Sequence, residues 1–190
     1  MSVGRDFHAL PDDLPVPVDD GAADHLVGTE VPAVPLASTL GGTCDLATLA
    51  QGTAVIYVYP RTGTPGEPSP PGWDEIPGAR GCTPQSCAFR DHVAELAGLG
   101  AVVAGLSSQA FTEQQAFAAR EHLPYPLLND SGLLLASLLG LPTFDVAGMR
   151  LYRRLTFIPR GGRIAHVMYP VFPPDRNAAD VVEWLTAHPA

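Results

Sequence analysis

Two cysteines with four residues between them, Cys82 and Cys87, are the groups in this chain whose type and spacing invite redox chemistry. The nucleophilic form of cysteine is the thiolate, so the first question is what would hold a sulfur as an anion. Cys82 follows a β-rich run, Ala54-Val55-Ile56-Tyr57-Val58-Tyr59, and a long Pro- and Gly-dense stretch, Arg61 to Gly81. It precedes Thr83-Pro84, a pair that predicts a helix start with Thr83 as N-cap and Pro84 at the first helical position, where a missing N–H costs nothing. At such a junction, unpaired backbone N–H groups and the helix dipole stabilise negative charge. The bland alternative is an inert small residue in a turn. Cys87 weighs against it. Five residues of α-helix advance the chain by about 7.5 Å, beyond the roughly 4.4 to 6.8 Å between the Cα atoms of an unstrained disulfide. The spacing therefore suits a pair that joins only when the first helical turn opens, not a permanent bridge.

The other chemistry-bearing residues point less sharply. Three cysteines, an odd number, argue against the disulfide framework of a secreted domain. Zinc needs about four closely spaced ligands, whereas His8, His25, His92, His122, His166 and His188 are scattered, so neither a metal nor a bound cofactor is expected. Cys44 reads as a small buried apolar residue. Trp73 and Tyr59 either pack the long loop or shape an entrance, Arg90 either tunes the site or pairs with Asp91 or Glu95, and His92 reads as helix surface.

The elements that must position Cys82 can be followed along the chain. A hairpin is expected around Gly41-Gly42, then a buried strand over residues 54–59, the helix from Thr83 with Phe89, Val93 and Leu96 on one face, and a strand from Ala101 to Leu106. Thr112-Glu113-Gln114-Gln115 has a capping-box pattern and predicts a helix to about His122. A short strand at Pro126 to Leu128, a helix from Leu133 to Leu139, and strands from Arg154 to Pro159 and from Arg163 to Tyr169, joined by Gly161-Gly162, follow. A final helix begins near Asp175. Alternation early in the chain implies parallel strands and right-handed crossovers, and the Gly-Gly turn implies an antiparallel pair. The fold class is α/β, a mixed sheet flanked by helices in the manner of thioredoxin-like domains.

The segment Gly81-Cys82-Thr83-Pro84-Gln85-Ser86-Cys87-Ala88-Phe89-Arg90-Asp91 resembles the active-site segment of peroxiredoxins of the bacterioferritin comigratory protein type, or Q type. Tyr57-Val58-Tyr59-Pro60 resembles the strand that delivers their active-site loop, Arg154-Leu155-Thr156-Phe157 the strand that presents an active-site Arg, and Asp180 to Leu185 their last helix. The resemblance implies a peroxidatic Cys82, a resolving Cys87, and Arg154, Thr64 and Pro60 as the remaining site residues. One departure stands out. The family pattern has Thr three residues before the first cysteine, but here Ala79 holds that place and Thr64 is eighteen residues away, as if residues 67–81 were inserted. Either the insertion loops out and returns Cys82 beside Thr64, or another hydroxyl such as Thr83 substitutes. The implied function is reduction of hydrogen peroxide and small organic hydroperoxides through a sulfenic acid and a Cys82–Cys87 disulfide, recycled by thioredoxin or a glutaredoxin-like reductant. A redox-sensing interaction protein using the same pair without turnover is the rival. A thioredoxin-type reductase is disfavoured, because two residues, not four, separate the cysteines in such sites.

Size and charge set the outer limits. A chain of 190 residues suffices for one domain, read here as residues 31–190, preceded by an acidic, Pro-containing extension over residues 1–30. A formal charge of -9 lacks the basic patch that a nucleic acid needs. No apolar run approaches the roughly 20 residues of a membrane span, and Met1 to Leu10 lacks a signal-peptide pattern, so the expected address is the cytoplasm and the expected state a monomer or weak dimer.

Overall fold

The computed structural model describes residues 8–11 and 13–189. The start of the acidic extension, including Arg5, Asp6 and Asp12, lies outside the described residues.

Strands β1 (Pro35–Ser38) and β2 (Thr43–Asp45) form the hairpin at Gly41-Gly42, both glycines having positive φ. A short helix α1 (Leu46–Leu49) is capped by the Asp45 carboxylate, which accepts from the Thr48 amide. Then come β3 (Thr53–Val58), α2 (Cys82–Gly98), β4 (Ala101–Ser107), α3 (Phe111–Arg120), β5 (Leu127–Asn129), α4 (Leu134–Leu138), β6 (Thr143–Val146), β7 (Met149–Tyr152), β8 (Leu155–Arg160), β9 (Arg163–Met168) and α5 (Asn177–Ala187). Seven strands make one sheet in the order β2-β1-β5-β4-β3-β8-β9, with β3, β4 and β5 parallel and the flanking pairs antiparallel. β6 and β7 pair separately.

The central strand explains the core. Every residue of β3 is buried, because both faces of the sheet are covered. Its alternate residues feed two apolar clusters: Ala54, Ile56 and Val58 join Leu46, Leu106, Tyr152 and Phe157, whereas Val55, Tyr57 and, just past the strand, Tyr59 join Phe89, Leu96, Phe117 and Val181 under α2, α3 and α5. Part of the region before the expected domain start also enters the core: Ala23 and Leu26 are buried with the first cluster. A third, small cluster sets Trp73 and Ala79 of the long loop against Val146 and Leu151 of the β6–β7 hairpin. Among the described residues no helix is long and apolar enough to cross a membrane.

Three local expectations are corrected. Helix α2 starts at Cys82, not at Pro84: Gly81, with φ 96°, takes the left-handed turn before the helix and its carbonyl accepts from the Gln85 amide at 3.0 Å. Pro84 still falls in the first turn, where its absent N–H leaves no bond unmade. Helix α3 starts at Phe111 without a side-chain cap, which puts Thr112 inside the helix. The Glu113 carboxylate is engaged elsewhere, by Gln109 Nε2 at 3.1 Å and Arg61 at 3.6 Å. The β6–β7 hairpin was not expected; its turn residues Ala147 and Gly148 both have positive φ, the geometry of a type I′ turn, which the sequence Ala-Gly does not announce. Arg154 lies just before β8, not inside it.

Candidate active site

Cys82 reaches its place by a backbone constraint. A side chain at residue 81 would run into the Pro174 ring and come within 2.9 Å of Leu10, so only glycine allows the close approach and the left-handed φ together. The Cys82 side chain then points into the core side of α2 and is 3% exposed.

The sulfur has a cation beside it. Arg154 Nη2 lies 3.1 Å from Cys82 Sγ, although 72 residues separate them in sequence. Arg154 is itself only 3% exposed. It donates to the carbonyl oxygens of Gly78 and Ala79 at 3.3 Å and of Arg80 at 2.9 Å, and to Gln85 Oε1. Gln85 is held in turn by Asn177 Oδ1 at 2.9 Å, which also accepts from Thr156 Oγ1 at 2.7 Å. These partners are dipoles, not carboxylates, so they fix the guanidinium without neutralising it. The end of the long loop, residues 78–80, thus serves as the cradle of the arginine.

Cys82 forms one wall of a cleft of about 50 Å³. Thr64 lines the same cleft, with Arg61, Trp73, Ala9 and Leu10. The chain between Thr64 and Cys82 loops out so that both residues line one cleft, and Thr83, the other hydroxyl considered, lines it too. Pro60 is not among the residues that line this cleft; its carbonyl accepts from Ser107 Oγ at 2.9 Å and ties the chain just after β3 to the end of β4. Tyr59 is fully buried and stacks on Tyr57 with ring centroids 5.8 Å apart, and Trp73 packs near Phe144 at 6.2 Å.

Cys87 occupies a different environment. Five helical residues turn by about 140° beyond one full turn, so it leaves the Cys82 face of α2. It is half-buried, with Glu121 Oε2 at 3.7 Å and His8 Nδ1 at 4.0 Å from its sulfur. Burial pushes its thiol up to about 11; the Glu121 carboxylate adds to the shift and Arg90 opposes it. All three cysteines are free. Arg90 pairs with Asp91 at 2.9 Å and donates to the Glu121 carbonyl, His92 bonds the Ala88 carbonyl, and Cys44 lies on the edge strand β2 at the far side of the sheet.

Sequence reasoning missed Gln85, Asn177 and Glu121. Gln85 carried a signal, since a residue three after Cys82 on a helix shares its face. Asn177 and Glu121 carried none, because their partners come from distant elements.

The profile of the redoxin family matches residues 26–183. The chain belongs to the redoxin family. Within it, this redoxin is 29% identical over 158 residues to the chloroplastic peroxiredoxin Q of Suaeda salsa, covering 83% of this chain and 66% of that protein. It is 30% identical over 133 residues to the Arabidopsis thaliana protein of the same description, covering 70% of this chain and 54% of the relative. The chain thus spans two thirds or less of the length of these curated relatives. Among solved structures, peroxidoxin BcpB of Mycobacterium tuberculosis superposes with a TM-score of 0.69 at 26% identity, over 86% of this chain and 98% of the other. The bacterioferritin comigratory protein of Xanthomonas campestris, for which alkyl peroxide reduction activity is described, gives 0.64 at 22%, over 93% and 99%. The redoxin sheet with its helical layers is the thioredoxin-like fold of those structures.

Proposed function

We propose that this redoxin is a thiol peroxidase that reduces hydrogen peroxide and small organic hydroperoxides. The observation that carries the reading is the buried Cys82 sulfur with the Arg154 guanidinium at 3.1 Å, in a cleft of about 50 Å³. A single water needs roughly 10 to 15 Å³ of such space, so the cleft has room for a peroxide O–O group at the sulfur.

The Cys82 thiolate attacks one peroxide oxygen and the O–O bond breaks. Sulfur gains that oxygen as a sulfenic acid, and the second oxygen leaves as hydroxide or alkoxide and takes up a proton. Arg154 is preorganised to meet the developing charge, with the Thr64 hydroxyl as a second donor and Pro60 fixing the loop that carries it. Cys87 then attacks the Cys82 sulfur, water departs, and a disulfide remains. Its formation requires the first turns of α2 to unwind. An external dithiol of the thioredoxin or glutaredoxin-like kind restores both thiols by exchange. No bound cofactor enters these steps.

The decisive experiment is peroxide consumption coupled to a thioredoxin system, with thiol titration and mass spectrometry on the wild type and on Cys82→Ser. Turnover by the wild type and none by the variant is the expected result; a wild type that ignores peroxide overturns the reading. The contact between Cys87 and His8 favours a second reading, a redox-sensing interaction protein in which disulfide formation frees the N-terminal segment for a partner without turnover. Oxidation-dependent binding with no peroxide consumption would select it. For the rest of the molecule we infer a domain over residues 31–190 with an extension over residues 1–30 and an inserted loop at 67–81, acting as a monomer or weak dimer in the cytoplasm, without nucleic acid or membrane as partner.

A further inference from the structure

Cys87, Glu121 and His8 come from three separate pieces of the chain: α2, the residue after α3, and the N-terminal segment. A ligand atom from each lies within 4.8 Å of the others. Glu121 Oε2 is 3.7 Å from Cys87 Sγ and 3.6 Å from His8 Nε2, and His8 Nδ1 is 4.0 Å from the sulfur. Tetrahedral zinc, with Zn–S near 2.3 Å and Zn–N or Zn–O near 2.0 to 2.2 Å, places its ligand atoms about 3.3 to 3.6 Å apart. One imidazole nitrogen must serve both contacts, and with one ligand atom from each residue the spread is at most 4.8 Å, so the cluster closes on an ion by drawing in the exposed His8 side chain.

The carboxylate is built into the fold. Its side chain is 5% exposed, and Arg120 Nε takes Oε1 at 2.9 Å, which leaves Oε2 turned to Cys87 and His8. Arg90 Nη1 holds the backbone carbonyl of the same residue at 2.9 Å. Such outer partners orient a ligand. Thiolate, imidazole and carboxylate together suit a borderline-soft ion, not magnesium or calcium. The His8 side chain is 61% exposed, so the fourth position opens to solvent.

We propose that His8, Cys87 and Glu121 bind one Zn²⁺, which holds the Cys87 sulfur beside α3 and away from Cys82. The consequence for turnover rests on the peroxidase reading above; the metal site does not. While zinc is bound, the second turn of α2 is tied to both α3 and the N-terminal segment. When Cys82 is a sulfenic acid, Cys87 supplies the electron pair of the new S–S bond and the S–O bond of Cys82 breaks. Hydroxide leaves and takes a proton from solvent, and zinc, still Zn²⁺, loses its sulfur ligand and dissociates.

The test uses the reduced, full-length protein stripped of metal by a chelator. It is titrated with Zn²⁺ against a chromophoric competitor, and with Co²⁺ to read the thiolate-to-cobalt charge-transfer absorption. One equivalent with a charge-transfer band is expected, both retained in Cys82→Ser, the band lost in Cys87→Ser, and zinc affinity lowered at least about tenfold in Glu121→Gln and in His8→Ala. His8→Ala changes an exposed side chain and leaves the core intact. Failure to take up one equivalent, or uptake that all three ligand variants leave unchanged, overturns the site. Oxidation of the zinc-loaded protein with diamide, which needs no peroxidase chemistry, should release the metal as the disulfide forms; a disulfide form that keeps its zinc overturns the switch. A protein that binds zinc in this way yet ignores peroxide would sink the peroxidase reading alone.

Discussion

At the residue scale, the decisive relation is between one sulfur and one guanidinium. Arg154 meets Cys82 Sγ with Nη2, and its other nitrogens are held by loop carbonyls and Gln85, so the fork is fixed before any substrate arrives. Arg154→Ala removes the charged donor and leaves those carbonyls without it. The oxidation of Cys82 by hydrogen peroxide is expected to slow by about 10² to 10³-fold, the usual cost of losing one preorganised donor to a leaving oxygen. Stopped-flow or competition kinetics of the first oxidation step measures it, and an unchanged rate would move Arg154 to a purely structural role. Cys87→Ser leaves this pair untouched. It should preserve the first oxidation, stop dithiol-driven turnover, and let Cys82 advance to sulfinic acid, visible by mass as two added oxygens.

At the scale of elements, the proposed Cys82–Cys87 disulfide would meet its barrier in α2. Ser86, between the two cysteines, is pinned twice: Tyr57 donates to its hydroxyl at 3.1 Å and Tyr125 to its carbonyl at 2.7 Å. Tyr57 also stacks on Phe89 of the same helix at 4.5 Å. Burial pushes both phenols well above the ordinary tyrosine range, so they stay neutral donors across physiological pH. Unwinding the first turns must break these bonds. Tyr125→Phe removes one, a loss of about 1 kcal/mol, which raises the open fraction about fivefold. Disulfide formation after a single peroxide pulse should quicken by a similar factor, and over-oxidation should fall. Quenching with an alkylating agent at timed intervals follows both.

At the scale of the whole molecule, the N-terminal segment borders the site. Ala9 and Leu10 wall the cleft that holds Cys82. Leu10→Ala should widen it and raise the rate with a bulky aryl hydroperoxide relative to hydrogen peroxide, whereas a ratio equal to that of the wild type would show that the segment does not select substrates. Farther along, Tyr169 donates to Asp20 at 2.9 Å. This bond holds the Asp20 carboxyl below its usual value, while burial, helped by Asp20, pushes Tyr169 up to about 12. The Asp20 contribution is present above the ordinary carboxylate range and lost as pH falls through its lowered value. The Tyr169 contribution is present below about pH 10 and lost as pH rises through about 12. Docking of residues 13–22 should therefore be level across neutral pH and loosen at both extremes. Hydrogen exchange there, compared with Asp20→Asn, measures it.

Much of this was readable in the chain itself. The unbroken apolar run ending at Tyr59, the helical spacing of Phe89 and Leu96, and the Gly161-Gly162 turn are local signals, and local signals fix strands, helices and the α/β class. The spacing of Cys82 and Cys87 already spoke against a permanent bridge. Helix starts were less legible, because Gly81 turned α2 two residues early and Glu113 was drawn to Gln109 and Arg61 in place of a cap. Other features waited for the tertiary structure: Thr64 returning to the Cys82 cleft across a long loop, three loop carbonyls gathering on Arg154, and Glu121 and His8 meeting at Cys87. Each depends on where distant segments close on one another. Sequence spacing bounds which residues can share a helix face or a strand, but the packing of the whole chain decides which side chains from separate elements end a few ångströms apart.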